Sequence, residues 1–125
     1  EISECLVGSE MCIRDRKNIA QAVGAKAIIV ESATGRVARA MVHYRPDCPV
    51  IAVATSQLVC RKLCLNWGVM AVMGEEKRTS DSITKQAMEK ALSTGVVKKG
   101  DTVVVLSSNK TCPTSSTDSL NVRIL

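Results

Sequence analysis

Phenylalanine is absent from this chain, and Tyr44 and Trp67 are its only other aromatics. A core without large rings has to be aliphatic, built from Val, Ile, Leu, Ala and Met. A surface without rings has almost nothing on which to stack bases. The formal charge of +5 comes from 17 basic and 12 acidic residues. These are spread along the chain rather than gathered into a basic stripe, so the expectation is no nucleic-acid partner. Long apolar runs are also lacking. None approaches the ~20 residues a membrane helix needs, and no basic segment followed by an apolar stretch opens the chain, which argues against a membrane or secretory destination. His43 is the sole histidine. A catalytic dyad would need it beside a nucleophile and an orienting acid, and the sequence nominates neither. A helix-end histidine meeting terminal carbonyls is the plainer reading.

What is present is ordinary in bulk. The 125 residues, 46% hydrophobic and 23% charged, suit one domain with one real core. Six cysteines accompany strand and helix patterns rather than a tiny loop-rich scaffold, so reduced thiols and a cytoplasmic location are expected.

Residues 1–16 do not fit the remainder. The run Cys5 to Arg16 has no clean period and resembles a translated sequencing-adapter read. It is expected to be a non-native or disordered head, against the alternative of a genuine irregular helix, and is set aside from fold reasoning. The head carries a net −2, leaving +7 from Lys17 onward. The domain is expected to span residues 17–125.

From Lys17 the periodicity is regular. Lys17 to Gly24 reads as the last turns of a helix with Gly24 as its cap. Ile28, Ile29 and Val30 form an apolar run suited to a strand covered on both faces. After the turn at Ser32–Arg36, Val37, Ala38, Met41 and Val42 make one helical stripe, and Pro46 stops that helix near Tyr44. Val50–Ala54 is a second strand. Thr55 or Ser56 caps a helix with Val59, Cys60, Leu63, Cys64 and Trp67 as its stripe, ended by Gly68. Val69–Met73 is a third strand. Thr79 or Ser80 caps the longest helix, which buries Ile83, Ala87, Met88, Ala91 and Leu92 and ends at Gly95. Thr102–Leu106 is a fourth strand and Ser107–Asp118 a Ser/Thr-rich loop. Ser119–Leu125 alternates like an edge strand, with Leu120, Val122 and Ile124 on one side. No helix separates the last two strands, so they should pair antiparallel. The pattern specifies an α/β fold: a three-layer α/β/α domain with a mostly parallel five-stranded sheet and an antiparallel last strand.

Chemistry is sparse. Cys60 and Cys64 stand at i, i+4, a spacing that could bind metal, but no third or fourth ligand is evident and core packing accounts for them better. Cys48 and Cys112 fall in loops without a neighbouring base to mark a nucleophile. Glu75 and Glu76 sit in a charged loop that is most simply solvated. No Walker, G-x-G-x-x-G or zinc motif occurs. Anion binding is what remains. Ser32, Thr34, Gly35 and Arg36 lie where a strand meets a helix start. Two hydroxyls, helix N–H groups and a guanidinium converge there, as a phosphate requires, although a capped turn that binds nothing fits the same residues.

Four ordered motifs then resemble the C-terminal domain of pyruvate kinase. They are Ala25–Val30 with Thr34–Arg39, Tyr44–Val53, Cys60–Val69 and Gly95–Val105, and the likeness covers residues 17–125. The wording of Arg61–Val69 is closer to bacterial-type members. The resemblance implies an enzyme that transfers a phosphoryl group from phosphoenolpyruvate to ADP with magnesium and potassium, its catalytic residues lying in a separate barrel that this chain lacks. It implies no catalytic residue and no cofactor here, and a chain inactive alone. The partners it implies are the catalytic barrel of the same polypeptide, a homotetramer, and a phosphorylated small-molecule effector held by the turn at Ser32–Val37. Sugar-bisphosphate-regulated members carry a Lys and a second Ser in that turn, where this chain has Ala33 and Val37. They also have a Trp near the long helix, which Glu75–Ile83 lacks, and a glycine-rich last loop, whereas Ser107–Asp118 has no glycine. A free-standing phosphate-binding module without catalysis is the alternative.

Overall fold

The computed structural model describes residues 9–32, 34–76, 79–107 and 119–125. Among the described residues nine elements follow one another: α1 (Ser9–Ala22), β1 (Ala27–Glu31), α2 (Arg36–His43), β2 (Val50–Ala54), α3 (Gln57–Leu63), β3 (Val69–Met73), α4 (Ser80–Ser93), β4 (Thr102–Ser107) and β5 (Ser119–Ile124). Helix α1 begins at Ser9 and crosses the boundary expected at residues 16 and 17. Residues 1–8 of the expected head, Ala33 and most of the Ser/Thr-rich loop lie outside the described residues.

The strands form one sheet in the order β3-β2-β1-β4-β5. The first four run parallel, with Ile28 opposite both Val50 and Val104, and β5 pairs antiparallel with β4, Val122 opposite Val104. This is the expected three-layer α/β/α arrangement. Its layers follow from connection handedness. The chain steps outward from β1 through β2 to β3, which puts α2 and α3 on one face. It then returns across the sheet to β4, and the same right-handed rule puts α4 on the other face.

Alternation along the central strands serves both faces. Ile28, Val30, Val50, Ala52, Val104 and Leu106 join Ala20, Ala38, Met41 and Leu63 on the first. Ala27, Ile29, Ile51, Val53, Val103 and Val105 join Ala87, Ala91 and Val97 on the second. Every residue of β2 is buried, as an unbroken apolar run between two helical layers demands. Burying each such Val, Ile or Leu side chain contributes about 1.5–3 kcal/mol, so these central strands hold the domain.

Two expectations are corrected. Helix α3 stops at Leu63 instead of running on to Gly68, with Cys64 as its C-cap. There the chain tightens to i→i−3 bonds, Leu65 N–H donating to the Lys62 carbonyl at 3.3 Å and Asn66 N–H to that of Leu63 at 3.0 Å, and Asn66 Nδ2 donates to the same two carbonyls, both at 3.3 Å. The stripe beyond Leu63 therefore lies outside the core: Cys64 is exposed and Trp67 is 67% accessible. In β5, Leu120 packs on the core while Val122 and Ile124 stay exposed.

Candidate functional site

The turn after β1 is built by three local interactions. Ser32 N–H donates to the Val53 carbonyl at 3.1 Å, fixing the end of β1 to β2. The buried Ser32 Oγ accepts the Gly35 N–H at 2.7 Å. Gly35 then holds φ 80°, ψ 1° and serves as the N-cap of α2, its carbonyl accepting Arg39 N–H at 3.0 Å. Only glycine enters that conformation without strain. A second constraint is steric: a Cβ on Gly35 would lie 3.0 Å from Leu63 Cδ2 and 3.3 Å from Val59 Cγ1, so α3 closes over this position.

Ser32 is thus committed to shaping the turn, whereas Thr34 and Arg36 are exposed. Thr34 Oγ1 receives the Arg36 N–H at a long 3.4 Å. The N–H groups of Val37 and Ala38, at the start of α2, have no acceptor inside the helix, as at any helix start. The four residues singled out in sequence therefore meet in one turn: one buried hydroxyl, one glycine, and two outward side chains, one of them cationic. Such an arrangement can accept an anion through first-turn N–H groups, the helix dipole and a bidentate guanidinium.

Strand order adds what periodicity could not. Neighbour β2 follows β1 in sequence, while neighbour β4 comes after a return across the sheet, so the carboxyl end of β1 is the topological switch point where open α/β sheets hold ligands. Ser107, at the end of β4, is buried at this same edge, where Val30 pairs with Leu106. A third loop at the carboxyl edge is clamped by Gln86 of α4. Its Oε1 accepts Glu75 N–H at 2.9 Å and its Nε2 donates to the Glu75 carbonyl at 2.8 Å.

The opposite end of the sheet carries a hollow of about 110 Å3 between Val42, Pro46, Cys48, Pro49 and Trp67. Arg45 beside it adopts φ 46° and lays its guanidinium 5.6 Å from the Trp67 ring centroid. Burial pushes the Cys48 thiol above its ordinary value of 9.0. His43 ends α2 and meets Tyr44 edge to face, the helix-end placement expected of it. Among the described residues no group of three or more His, Cys, Asp or Glu could hold a metal ion. These residues do not fit the magnesium ion the resemblance implies for a barrel.

Fold and turn together define an α/β domain of the doubly wound kind, with the β1–α2 turn at its switch point. The chain belongs to the pyruvate kinase family, for the model of the pyruvate kinase alpha/beta domain matches residues 10–123. It is 40% identical over 101 residues to a pyruvate kinase of Clostridium acetobutylicum, covering 81% of this chain and 21% of that protein. It is 38% identical over 79 residues to one of Bacillus licheniformis, covering 63% and 14%, and 32% identical over 99 residues to one of Geobacillus stearothermophilus, covering 79% and 17%. The chain thus spans about a fifth or less of the length of these relatives.

Proposed function

We propose that this chain is the regulatory and assembly part of a pyruvate kinase, and that its β1–α2 turn holds the phosphate of a small-molecule effector through Thr34, Gly35 and Arg36. The match to the alpha/beta domain alone carries this reading, supported by the position of the turn at the switch point of the sheet. In this proposal the catalytic barrel lies elsewhere in the same polypeptide. It performs the transfer from phosphoenolpyruvate to ADP and holds the magnesium and potassium, in the cytoplasm and as a homotetramer. Ser32 keeps the turn in shape, Gly35 brings the backbone close, and Arg36 supplies the charge. The effector is not a tightly held sugar bisphosphate, since Val37 replaces a hydroxyl donor within the turn.

The assembly half is supported by apolar side chains left in solvent along α3 and β3. Leu58, Leu65, Trp67, Met70 and Met73 are all exposed there. Residues 1–16 remain, on this reading, a segment foreign to the natural chain. Genomic DNA upstream of Lys17 tests both points. Sequence coding for a barrel in frame supports the proposal, and Cys5–Arg16 encoded in frame with it overturns the foreign head. Purified chain given phosphoenolpyruvate, ADP, magnesium and potassium should form no pyruvate. Turnover by this chain alone would contradict the assigned role.

A further inference from the structure

The early end of α3 leaves two thiols in an unexpected setting. Cys60 is half-buried on the last full turn and Cys64 is the exposed C-cap, with Cys64 N–H donating to the Cys60 carbonyl at 3.2 Å. At i and i+4 they stand on one face of the helix end. Arg61 and Lys62 lie between them in sequence and are exposed.

We infer that Cys60 and Cys64 form a two-thiol site for a soft, thiophilic ligand that two sulfurs can hold, of the class of monosubstituted trivalent arsenicals. Geometry selects this class over two others. A disulfide needs Cβ atoms about 3.5–4.5 Å apart, whereas i, i+4 positions on a helix hold them at about 5–6 Å. Closing one would unwind the end of α3. A single soft atom with bonds of about 2.3 Å to each sulfur spans up to about 4.6 Å between them, which suits two thiols one helical turn apart. Zinc would want four ligands, and among the described residues no third donor joins the pair.

The reaction balances without an oxidant. With an arylarsenoxide, two S–H bonds break, two As–S bonds form, and the arsenic oxygen leaves as water with both thiol protons. The aryl group stays as the third substituent. Soft sulfur donors favour such an acceptor over harder cations. Trp67, the only tryptophan in the chain, lies three residues beyond Cys64 and reports the event.

The test uses the full chain with Cys5, Cys12, Cys48 and Cys112 replaced by Ser, titrated with phenylarsine oxide. The expected result is one adduct per chain by intact mass, loss of both free thiols, and a change in Trp67 emission. An added dithiol should reverse all three, and a monothiol should not. Cys60→Ser or Cys64→Ser in that background should weaken binding about a hundredfold or more, because the second bond is intramolecular. Equal binding by the single-thiol variants overturns the inference, as does a folded pair that reacts with a thiol reagent but not with the arsenical. If the four-fold variant does not fold, the wild-type chain is compared with Cys64→Ser alone. Loss of one dithiol-reversible adduct then supports the site, and an unchanged adduct count contradicts it.

Discussion

The two strand–turn–helix units at the centre of the domain, β1–α2 and β2–α3, share a layout and differ in how they are made. In the first, Ser32 Oγ holds Gly35 N–H and a left-handed glycine starts an eight-residue helix that buries Ala38 and Met41 completely. In the second, Ser56 occupies the N-cap without a side-chain bond, and only Leu63 of the seven-residue helix is buried. Leu65, just beyond that helix, is 88% accessible. The first unit is specified locally and carries the candidate site. The second is held chiefly by what it packs on, and it leaves apolar surface uncovered. They meet where Leu63 presses on Gly35, so the better-made turn depends on the poorer helix.

That contrast can be broken most severely at its two buried anchors. Met41→Ala is expected to cost about 2–5 kcal/mol, read as a lower urea midpoint with unchanged slope. Gly35→Ala should cost about 2–4 kcal/mol, combining left-handed strain of about 1–2 kcal/mol with overpacking against Leu63. Adding Leu63→Ala should relieve the overpacking part only. Additive costs in that double mutant, measured by urea unfolding, would show that the two units are not coupled through this contact.

Most of the sheet was legible in the sequence for a simple reason. Val50–Ala54 and Val69–Met73 are apolar runs bounded by Pro, Gly and Ser, and the strands occupy those residues. The cap at Thr79 was equally local, its Oγ1 accepting Ser82 N–H at 3.4 Å. The end of α3 was not legible, because Cys64 and Trp67 continue the helical period of Leu63 while the chain tightens there to i→i−3 bonds, joined by the Asn66 side chain, that periodicity does not register. The same holds for the candidate turn. Ser32, Thr34, Gly35 and Arg36 could be nominated as neighbours in sequence, but their position at the switch point depends on β4 lying beside β1, a long-range pairing.

Smaller effects sharpen the comparison. Ser32→Ala removes the acceptor of a buried N–H and should cost about 1–3 kcal/mol. Ser56→Ala makes no such loss and should fall within about 0.5 kcal/mol of wild type. Thermal unfolding of the two variants side by side checks this, and equal costs would erase the distinction between the units. The smallest effect is alkaline. Burial raises the thiols of Cys48 and Cys60 above 9.0 in the folded chain. The unfolded chain therefore loses these protons first, and the associated stability is present below pH 9 and lost as pH rises through the folded values. Stability measured from pH 8 upward should decline, and Cys48→Ser should flatten part of that decline.

The central claim is that the β1–α2 turn grips phosphate, and calorimetric titration of the wild-type chain and Arg36→Ala with inorganic phosphate and a monophosphorylated sugar tests it most directly. A charge-assisted bond is worth about 1.5–3 kcal/mol, so Arg36→Ala should bind roughly ten- to a hundredfold more weakly while unfolding at the same urea concentration as wild type. Indistinguishable titrations of the two proteins, or no heat from either, would contradict the account and leave the turn as a connection between strand and helix.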